Sequence, residues 1–204
     1  MIGVLDYGLG NVSAFLNAFR DIGIKACRVS NPETSENLKS IILPGVGSYD
    51  WALKQLKKTG LNKLLLKKAN EGMPLLGVCV GMQLLGHNSQ EGVSDGLGLI
   101  EGNVKRFPSD ALRPVPHMGW NNIVPEHKSH PLFVNISAQD DFYFLHSYYF
   151  HGASQNNTIA SSFYINQFSS VIQKGNVFGC QFHPEKSHTS GLQLLSNFAK
   201  IDKC

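Results

Sequence analysis

Three times within the first 85 residues, a short apolar run leads into a glycine-containing turn and then into a stretch with helical periodicity. The apolar runs are residues 2–5, a run that ends at Pro44, and residues 75–78; the helices follow from Val12 to a stop at Gly23, from near Trp51, and from Cys79 through Met82, Leu84 and Leu85. Apolar strands that alternate with helices are typical of a parallel sheet covered on both faces. The sequence therefore predicts an α/β fold with a mostly parallel central sheet flanked by helices.

The second half of the chain has a different composition and hydrophobic pattern. After about residue 97, glycine, proline and aromatic residues become more frequent, and alternating stretches such as FYFLHSYYF and SSVIQKGNVFGCQF replace the helical patterns. Such alternation predicts a strand-rich, mostly antiparallel region, which a last helix from residue 189 or 190 to residue 199 follows. Since no linker rich in proline, glycine or serine divides the 204 residues, we expect a single domain over residues 1–204.

The charge distribution argues against nucleic acids and membranes as partners. The 18 basic and 15 acidic residues leave a net charge of +3, and the lysines between residues 54 and 68 alternate with leucines at helical spacing, as on a solvated helix face. The apolar runs are shorter than the roughly 20 residues of a membrane-spanning helix, and Asp6 interrupts the N-terminal run. We therefore expect a cytosolic protein.

The cysteines lie far apart in the sequence and form no C-x-x-C pair. They are Cys27, Cys79, Cys180 and Cys204. This pattern predicts neither a disulfide framework nor a zinc site, and the histidine spacings do not match metal sites either. We expect no metal and no cofactor, and a functional cysteine would act alone as a thiolate.

The segment Gly77-Val78-Cys79-Val80-Gly81 has the form of a nucleophile elbow with cysteine in place of serine. Such a strand-to-helix turn is tight, so small residues are needed two positions before and after the nucleophile, as Gly77 and Gly81 provide. A helix N-terminus would favour the thiolate of Cys79. The alternative is a small buried core residue, which the flanking glycines disfavour.

A cysteine nucleophile needs a base, and the segment QFHPEKS offers His183 with Glu185 two residues later. In an extended chain, which Pro184 favours, both side chains point to the same side, so Glu185 can orient the imidazole towards Cys79. The alternative is an ordinary surface loop.

A third element is the turn Pro44-Gly45-Val46-Gly47, which follows an apolar strand. Its backbone N–H groups, together with the N–H of Val80, could receive the oxyanion that develops during acyl transfer. The alternative is a plain strand-to-helix turn.

Together these motifs resemble the class I, triad-type glutamine amidotransferases over nearly the whole length of the chain. The matching segments are DYGLGN at 6–11, LPGVG at 43–47, GVCVGMQLL at 77–85, PHMGWN at 116–121, FLHSYY at 144–149 and GCQFHPEKS at 179–187. The resemblance implies a flavodoxin-like fold. It also implies that the triad Cys79, His183 and Glu185 attacks the side-chain amide of L-glutamine, forms a glutamyl thioester and releases glutamate and ammonia.

The resemblance assigns further roles to residues outside the triad. Those that hold or surround glutamine are Gln83, Glu91, His146, Ser147 and Tyr148, the oxyanion donors are Gly45, Val46, Gly47 and Val80, and those that face a partner subunit are Asn11, Met118, Trp120 and Lys186. Val80 departs from the leucine that is usual in the family, but it still supplies its N–H.

The pathway that uses the ammonia has two readings within the family. PHMGWN followed by HSY is similar to glutaminase subunits that form a heterodimer with a synthase (cyclase) subunit and feed ammonia into histidine biosynthesis. LDYGLGNVSAFLNAF, Val80 and EKSHTSGLQLL also look like subunits that supply a sugar amidotransferase of surface-glycan or flagellin-glycan assembly. Two further hypotheses are a stand-alone cysteine hydrolase and a catalytically silent glutamine-binding regulator.

Overall fold

The computed structural model describes residues 1–35, 37–127, 129–154 and 156–202. In its N-terminal half, strands and helices alternate as the sequence predicts. The elements are β1 (Ile2–Leu5), α1 (Val12–Asp21), β2 (Ala26–Val29), a 3₁₀ turn (Pro32–Ser35), β3 (Ser40–Gly45), α2 (Tyr49–Lys58), α3 (Leu61–Asn70), β4 (Leu75–Cys79) and α4 (Val80–Gln83). The predicted strands correspond to β1, β3 and β4, and every residue in them is buried.

The second half is rich in strands and ends in a helix, again as predicted. Its elements are β5 (Asn103–Arg106), β6 (His117–Asn122), β7 (Val124–Pro125), a 3₁₀ turn (Pro131–Phe133), β8 (Asp141–His146), β9 (Tyr148–His151), β10 (Thr158–Phe163), β11 (Gln167–Lys174), β12 (Val177–Cys180), a 3₁₀ turn (Pro184–Lys186) and α5 (His188–Phe198).

The main sheet has the strand order β2-β1-β3-β4-β12-β11-β10-β7. The first five strands in this order, β2, β1, β3, β4 and β12, run parallel to one another. Strands β11, β10 and β7 then continue the sheet in antiparallel fashion. Two smaller antiparallel ribbons, β5–β9 and β6–β8, complete the second half. The predicted division into a parallel and a mostly antiparallel part is confirmed, with β12 as the strand that returns to the parallel part.

Helix α4 is shorter than the sequence predicts, because Leu84 and Leu85 lie beyond its end. Their carbonyl oxygens accept hydrogen bonds from the backbone N–H groups of Leu97 and Leu99, at 2.8 and 2.9 Å. These bonds to a distant segment of the chain replace the bonds that would continue the helix. Both leucines are nevertheless fully buried, so their apolar spacing reflects the core rather than a helix.

Two other elements differ from the expected pattern. The lysine-bearing stretch forms α2 and α3 rather than one helix, since Gly60 interrupts it with a φ of +73°, a conformation that favours glycine. Strand β2 is not visible as an apolar run because it lies at the sheet edge and most of it is only partly buried. The lysines of α2 and α3 lie mostly on exposed positions, as predicted for a solvated face.

The strand register brings the candidate site together. Gly45 at the end of β3 pairs with Cys79 at the end of β4, and Cys180 at the end of β12 pairs with Val78 on the other side of β4. The carboxyl ends of three neighbouring parallel strands therefore meet at one edge, and His183 follows β12 by three residues. Such an edge is where ligands bind in open α/β sheets.

Over the described ranges, no helix combines the length and the apolar character that crossing a membrane requires. Cys27, Cys79 and Cys180 are free thiols. Cys204 lies outside the described residues.

Candidate active site

Cys79 occupies a strained backbone position between β4 and α4. Its φ of +56° and ψ of −113° are unusual for a residue other than glycine. A Cβ atom on Gly77 would lie 2.6 Å from the carbonyl oxygen of Gly81, and one on Gly81 would lie 2.0 Å from that of Leu43. The backbone can turn this sharply only because both positions lack a side chain.

The same crowding extends to β3, where a Cβ atom on Gly45 would lie 2.1 Å from the backbone nitrogen of Gly81. Strand β3 therefore packs directly against the first turn of α4. Gly45 acts as a spacer behind the elbow, while Val46 and Gly47 project beyond it.

His183 and Glu185 are paired at the end of the β12 segment, with Nδ1 of His183 2.9 Å from Oε1 of Glu185. The prediction of an extended chain was wrong here, because Pro184–Lys186 is a 3₁₀ turn. The turn is anchored by Ser187, whose hydroxyl donates to the carbonyl of His183 at 2.6 Å and accepts from the N–H of Tyr143 at 2.9 Å. A curled backbone thus produces the pairing that was expected from an extended one.

The electrostatics of His183 differ from those of an ordinary buried histidine. Burial alone lowers its pKa, but the negative charge of Cys79, then hydrogen bonds to Cys79 and Glu185 and the charge of Glu185, raise the pKa to about 10. Since Nδ1 faces Glu185, Nε2 is the nitrogen left for the sulfur. The arrangement favours the protonated form of His183 beside the sulfur of Cys79.

Cys180 is a second buried cysteine near the end of the parallel strands. Burial raises the pKa of its thiol well above the ordinary value, and it is fully buried within the sheet. It is a core residue.

A cavity of about 310 Å³ opens over Cys79. The described residues that line it are Val46, Gly47, Cys79, Val80, Gln83, Glu91, Pro116, Leu145, His146, Ser147, Tyr148 and His183. It thus brings together most of the residues that the sequence singled out. Gly45 and Glu185 do not line it, since they lie behind Cys79 and His183 respectively, and Pro116 and Leu145 were not foreseen.

Two of the candidate glutamine-binding side chains are already anchored to the protein. Gln83 Nε2 donates to the carbonyl of Tyr148 at 3.0 Å and to Oε1 of Gln181 at 3.1 Å. Glu91 Oε2 accepts from the N–H of Tyr49, at the start of α2, at 2.9 Å, and burial raises the pKa of this carboxyl.

Gln181 is a site residue that sequence reasoning missed. It is completely buried, and its Nε2 lies 3.7 Å from the sulfur of Cys79, towards which it donates. An uncharged polar residue at the end of the apolar strand, two positions before His183, was the available signal. Buried amides are retained where they satisfy specific partners.

The residues assigned to a partner subunit are all exposed, and two of them lie on the ribbon β6–β8. We call the outward side of this ribbon the Trp120 face; it consists of Met118, Trp120, Tyr143 and Leu145. Met118 is 66% exposed and Trp120 49%, which is high for large apolar side chains. The carbonyl oxygen of Leu145 lies 3.8 Å from the sulfur of Cys79, so the face borders the candidate site.

Basic groups flank the Trp120 face. Lys186 Nζ lies 5.8 Å from the ring centroid of Tyr143, and His188 stacks on Trp120 at 5.2 Å. Asn11, on the N-terminal end of α1, caps that helix by accepting from the N–H of Ala14 at 3.1 Å. In the part of the chain that the structure describes, no group of three acidic, histidine or cysteine side chains could hold a metal ion.

Comparisons with known proteins agree with this geometry. The family model described as glutamine amidotransferase class-I matches residues 3–201. The chain is 42% identical over 205 residues to the imidazole glycerol phosphate synthase subunit HisH of Leptospira interrogans, covering 98% of this chain and 100% of that protein. It is 45% identical over 206 residues to the HisH subunit of Geobacillus sp. (strain WCH70), covering 98% and 97%.

Solved structures share the fold at low sequence identity. A structure titled as a glutamine amidotransferase has a TM-score of 0.74 at 22% identity, covering 98% of this chain and 97% of that chain. The PurLQS structure from Thermotoga maritima has a TM-score of 0.76 at 18% identity, covering 97% and 96%.

Proposed function

The chain belongs to the class I glutamine amidotransferases, and from that premise we propose that it is the glutaminase subunit of an imidazole glycerol phosphate synthase. It hydrolyses L-glutamine and delivers the ammonia to a cyclase subunit for histidine biosynthesis. The observation that carries the proposal is the strained Cys79, which lines one cavity of about 310 Å³ together with His183, whose Nδ1 is held by Glu185. A reactive free thiol at such a site suits the reducing cytoplasm.

In the first half-reaction, the Cys79 thiolate attacks the side-chain carbonyl carbon of glutamine and forms a tetrahedral intermediate. His183, protonated on Nε2, then gives its proton to the amide nitrogen, which leaves as ammonia while the carbonyl reforms as a thioester. Glu185 holds the imidazole through its 2.9 Å bond to Nδ1 and stabilises its positive charge.

In the second half-reaction, a water molecule enters the cavity and His183, now neutral, takes one of its protons. The resulting hydroxide attacks the thioester carbon, and collapse of the intermediate releases glutamate and returns the sulfur to its anionic state. The imidazolium that remains is the protonation state that the next turnover needs.

We assign the oxyanion of both intermediates to the backbone N–H of Val80 and to the turn Gly45–Val46–Gly47. Val46, Gly47 and Val80 line the cavity beside Cys79, which supports this assignment. Each such donor can lower the barrier by about 3 kcal/mol.

We assign the cyclase subunit to the Trp120 face. Exposed apolar side chains of this size are typical of interfaces, and the face borders Cys79 through Leu145. A partner seated there would receive ammonia close to where it is released, before the ammonia is protonated in bulk water.

The test combines partner capture with turnover. The chain is expressed in its own organism with an affinity tag, the copurifying protein is identified by mass spectrometry, and glutamate release is measured with and without that protein. We expect a cyclase of imidazole glycerol phosphate synthesis and a glutaminase activity that rises when it is bound. Capture of a sugar amidotransferase instead would assign the ammonia to glycan assembly, and hydrolysis of peptides without any partner would favour a stand-alone hydrolase.

A further inference from the structure

A chain of hydrogen bonds, buried at its centre, runs from the ribbon β6–β8 to the cavity wall. His117 Nδ1 lies 3.0 Å from Nε2 of His146, and Nδ1 of His146 lies 2.8 Å from the carbonyl oxygen of Tyr148. At the outer end, Nδ2 of Asn121 lies 3.3 Å from Nε2 of His117 and donates to the carbonyl of Phe163 at 2.9 Å. The two imidazole rings are only 3% and 6% exposed.

The same chain continues from the cavity wall to the nucleophile. The Tyr148 carbonyl also accepts from Gln83, which donates to Gln181, and Gln181 donates towards the sulfur of Cys79. A connected set of polar groups therefore links strand β6 to Cys79 across the wall of the glutamine cavity.

The partners at the two ends fix the proton positions along this chain. A carbonyl oxygen can only accept, so His146 must carry its proton on Nδ1. In the neutral ring Nε2 is then an acceptor, and His117 must donate to it from its own Nδ1. The remaining His117 Nε2 accepts from the amide of Asn121. Every donor meets an acceptor in this arrangement and in no other assignment of two neutral rings.

The surroundings keep both rings neutral. Burial lowers the pKa of His117 to about 4 and that of His146 to about 3, where His117 and His183 add to the lowering and the hydrogen bond to Tyr148 opposes it. His117 is sandwiched between Tyr164 at 4.1 Å and Phe144 at 4.8 Å. Phe107 and Phe168 pack against His146 at 5.3 and 5.2 Å.

We infer that His117 is a positioning residue for glutamine binding: its Nδ1–H donates to Nε2 of His146 and holds that ring in place, so that the Nδ1–H of His146 fixes the Tyr148 carbonyl in the cavity wall. The inference deepens the proposed function and rests on it, since it concerns the same glutamine site. Met118, the next residue, points outward from the same strand onto the Trp120 face. A partner seated on that face would therefore touch the strand that carries the positioning histidine.

Two substitutions separate positioning from packing. His117→Phe keeps an aromatic ring between Tyr164 and Phe144 but removes both hydrogen bonds. His117→Asn loses the ring but retains an N–H donor close to the place of Nδ1. The matched control is His130→Phe, which removes another histidine that hydrogen-bonds a side chain, Gln173, outside the cavity.

The probe is a diazoketone analogue of glutamine, which alkylates the nucleophilic cysteine; its half-saturating concentration and its maximal alkylation rate are measured separately by mass spectrometry on the complex. His117→Phe should raise the half-saturating concentration about tenfold and change the maximal rate much less, because one buried hydrogen bond is lost. His117→Asn should stay within about threefold of the wild type, as should His130→Phe. Equal half-saturation in His117→Phe and the wild type, or an equal loss in both His117 variants, would overturn the inference.

A second readout does not depend on turnover. Nitrogen-15 shifts of the imidazole rings at neutral pH should place the proton of both His117 and His146 on Nδ1. In His117→Phe the Nε2 resonance of His146 should move towards that of an acceptor without a hydrogen bond, because the donor at residue 117 is gone. A proton on Nε2 of His146 in the wild type would overturn the inference. This spectrum is recorded without substrate, so it determines the proton positions whether or not the complex hydrolyses glutamine. A wild-type complex that hydrolyses no glutamine would overturn the proposed function instead.

Discussion

Two pairs, His183 with Glu185 and His117 with His146, each place one histidine on the wall of the same cavity, and the protein treats these histidines in opposite ways. At the end of the β12 segment, the pKa of His183 rises to about 10, whereas in the ribbon β6–β8 the pKa values of His117 and His146 fall to about 4 and 3. Burial lowers all three. The difference comes from the partners, because His183 faces the Cys79 sulfur and a carboxylate while His146 faces a carbonyl dipole. A low dielectric strengthens whichever interaction is present, so the partner decides the charge.

Removing the anion should erase this contrast. Cys79→Ser takes away the nucleophile and the negative charge, so glutamate release should fall by at least about 1,000-fold. The pKa of His183, measured by NMR titration, should drop because burial is then opposed only by Glu185. Cys27→Ser, a change at a free thiol on the edge strand β2, should leave both quantities unchanged. Residual turnover of Cys79→Ser close to that of the wild type would contradict the assignment of the nucleophile.

Neutralising the carboxylate should weaken the contrast without erasing it. Glu185→Gln keeps an acceptor for Nδ1 of His183 and places the amide nitrogen where Oε2 makes no hydrogen bond within the described residues. Since the imidazolium loses a stabilising charge, glutamate release should fall about 100-fold and the pKa of His183 should decrease. The measurement is kcat as a function of pH, and a profile identical to that of the wild type would mean that Glu185 is not the orienting group.

The two pairs should contribute to the stability of the protein with opposite dependences on pH. For His117 and His146 the unfolded chain binds protons first, so stability is present above about pH 6.5 and declines as pH falls towards 4, by up to about 1.4 kcal/mol per pH unit for each ring. For His183 the stabilisation is complete below about pH 6.5 and is lost as pH rises through about 10. Urea unfolding between pH 4 and 7 measures the acid side.

The variant that sharpens this test is His117→Phe, which removes one of the two neutral rings. Its stability should depend less steeply on pH between 6.5 and 4 than that of the wild type. An unchanged slope would show that the acid sensitivity arises elsewhere.

The smallest effect on glutamate release is expected at Gln181, which links the two pairs through hydrogen bonds. Gln181→Met keeps the volume of the side chain but removes its bonds to Gln83 and to the Cys79 sulfur. Glutamate release should fall by less than about tenfold, because each lost bond is neutral or weak. Gln173→Met, on β11 and outside the cavity over Cys79, should show no such loss. A loss of glutamate release as large as that of Glu185→Gln would mean that Gln181 takes a more direct part in the reaction than holding its neighbours.

The sequence was informative where one local rule sufficed. Continuous apolar runs predict β1, β3 and β4, and the glycines around Cys79 predict a tight elbow because no side chain fits there. The motif that pairs His183 with Glu185 was also recognisable, although the backbone curls into a 3₁₀ turn that spacing alone does not reveal.

The rest depended on contacts between distant segments. His117 and His146 meet only because β6 and β8 pair in one particular register across 29 positions of sequence, and each histidine alone resembles a core residue. Helix α4 ends early because the backbone N–H groups of residues 97 and 99 bind the carbonyl oxygens of the two residues that follow it. The periodicity of the sequence does not reveal such bonds. The role of Gln181 depends on the neighbouring strand β4, which places Cys79 beside it.

The alternation of side chains along β6 has a consequence for how this protein can change its sequence. His117 and Met118 point to opposite sides of one strand, so a slip of a single residue against β8 would expose the imidazole and bury the thioether. An insertion or deletion that shifted residue 117 relative to β8 would remove the buried histidine and rearrange the exposed patch in one event. The inner and outer surfaces of the strand must therefore evolve by substitution while its alignment stays fixed.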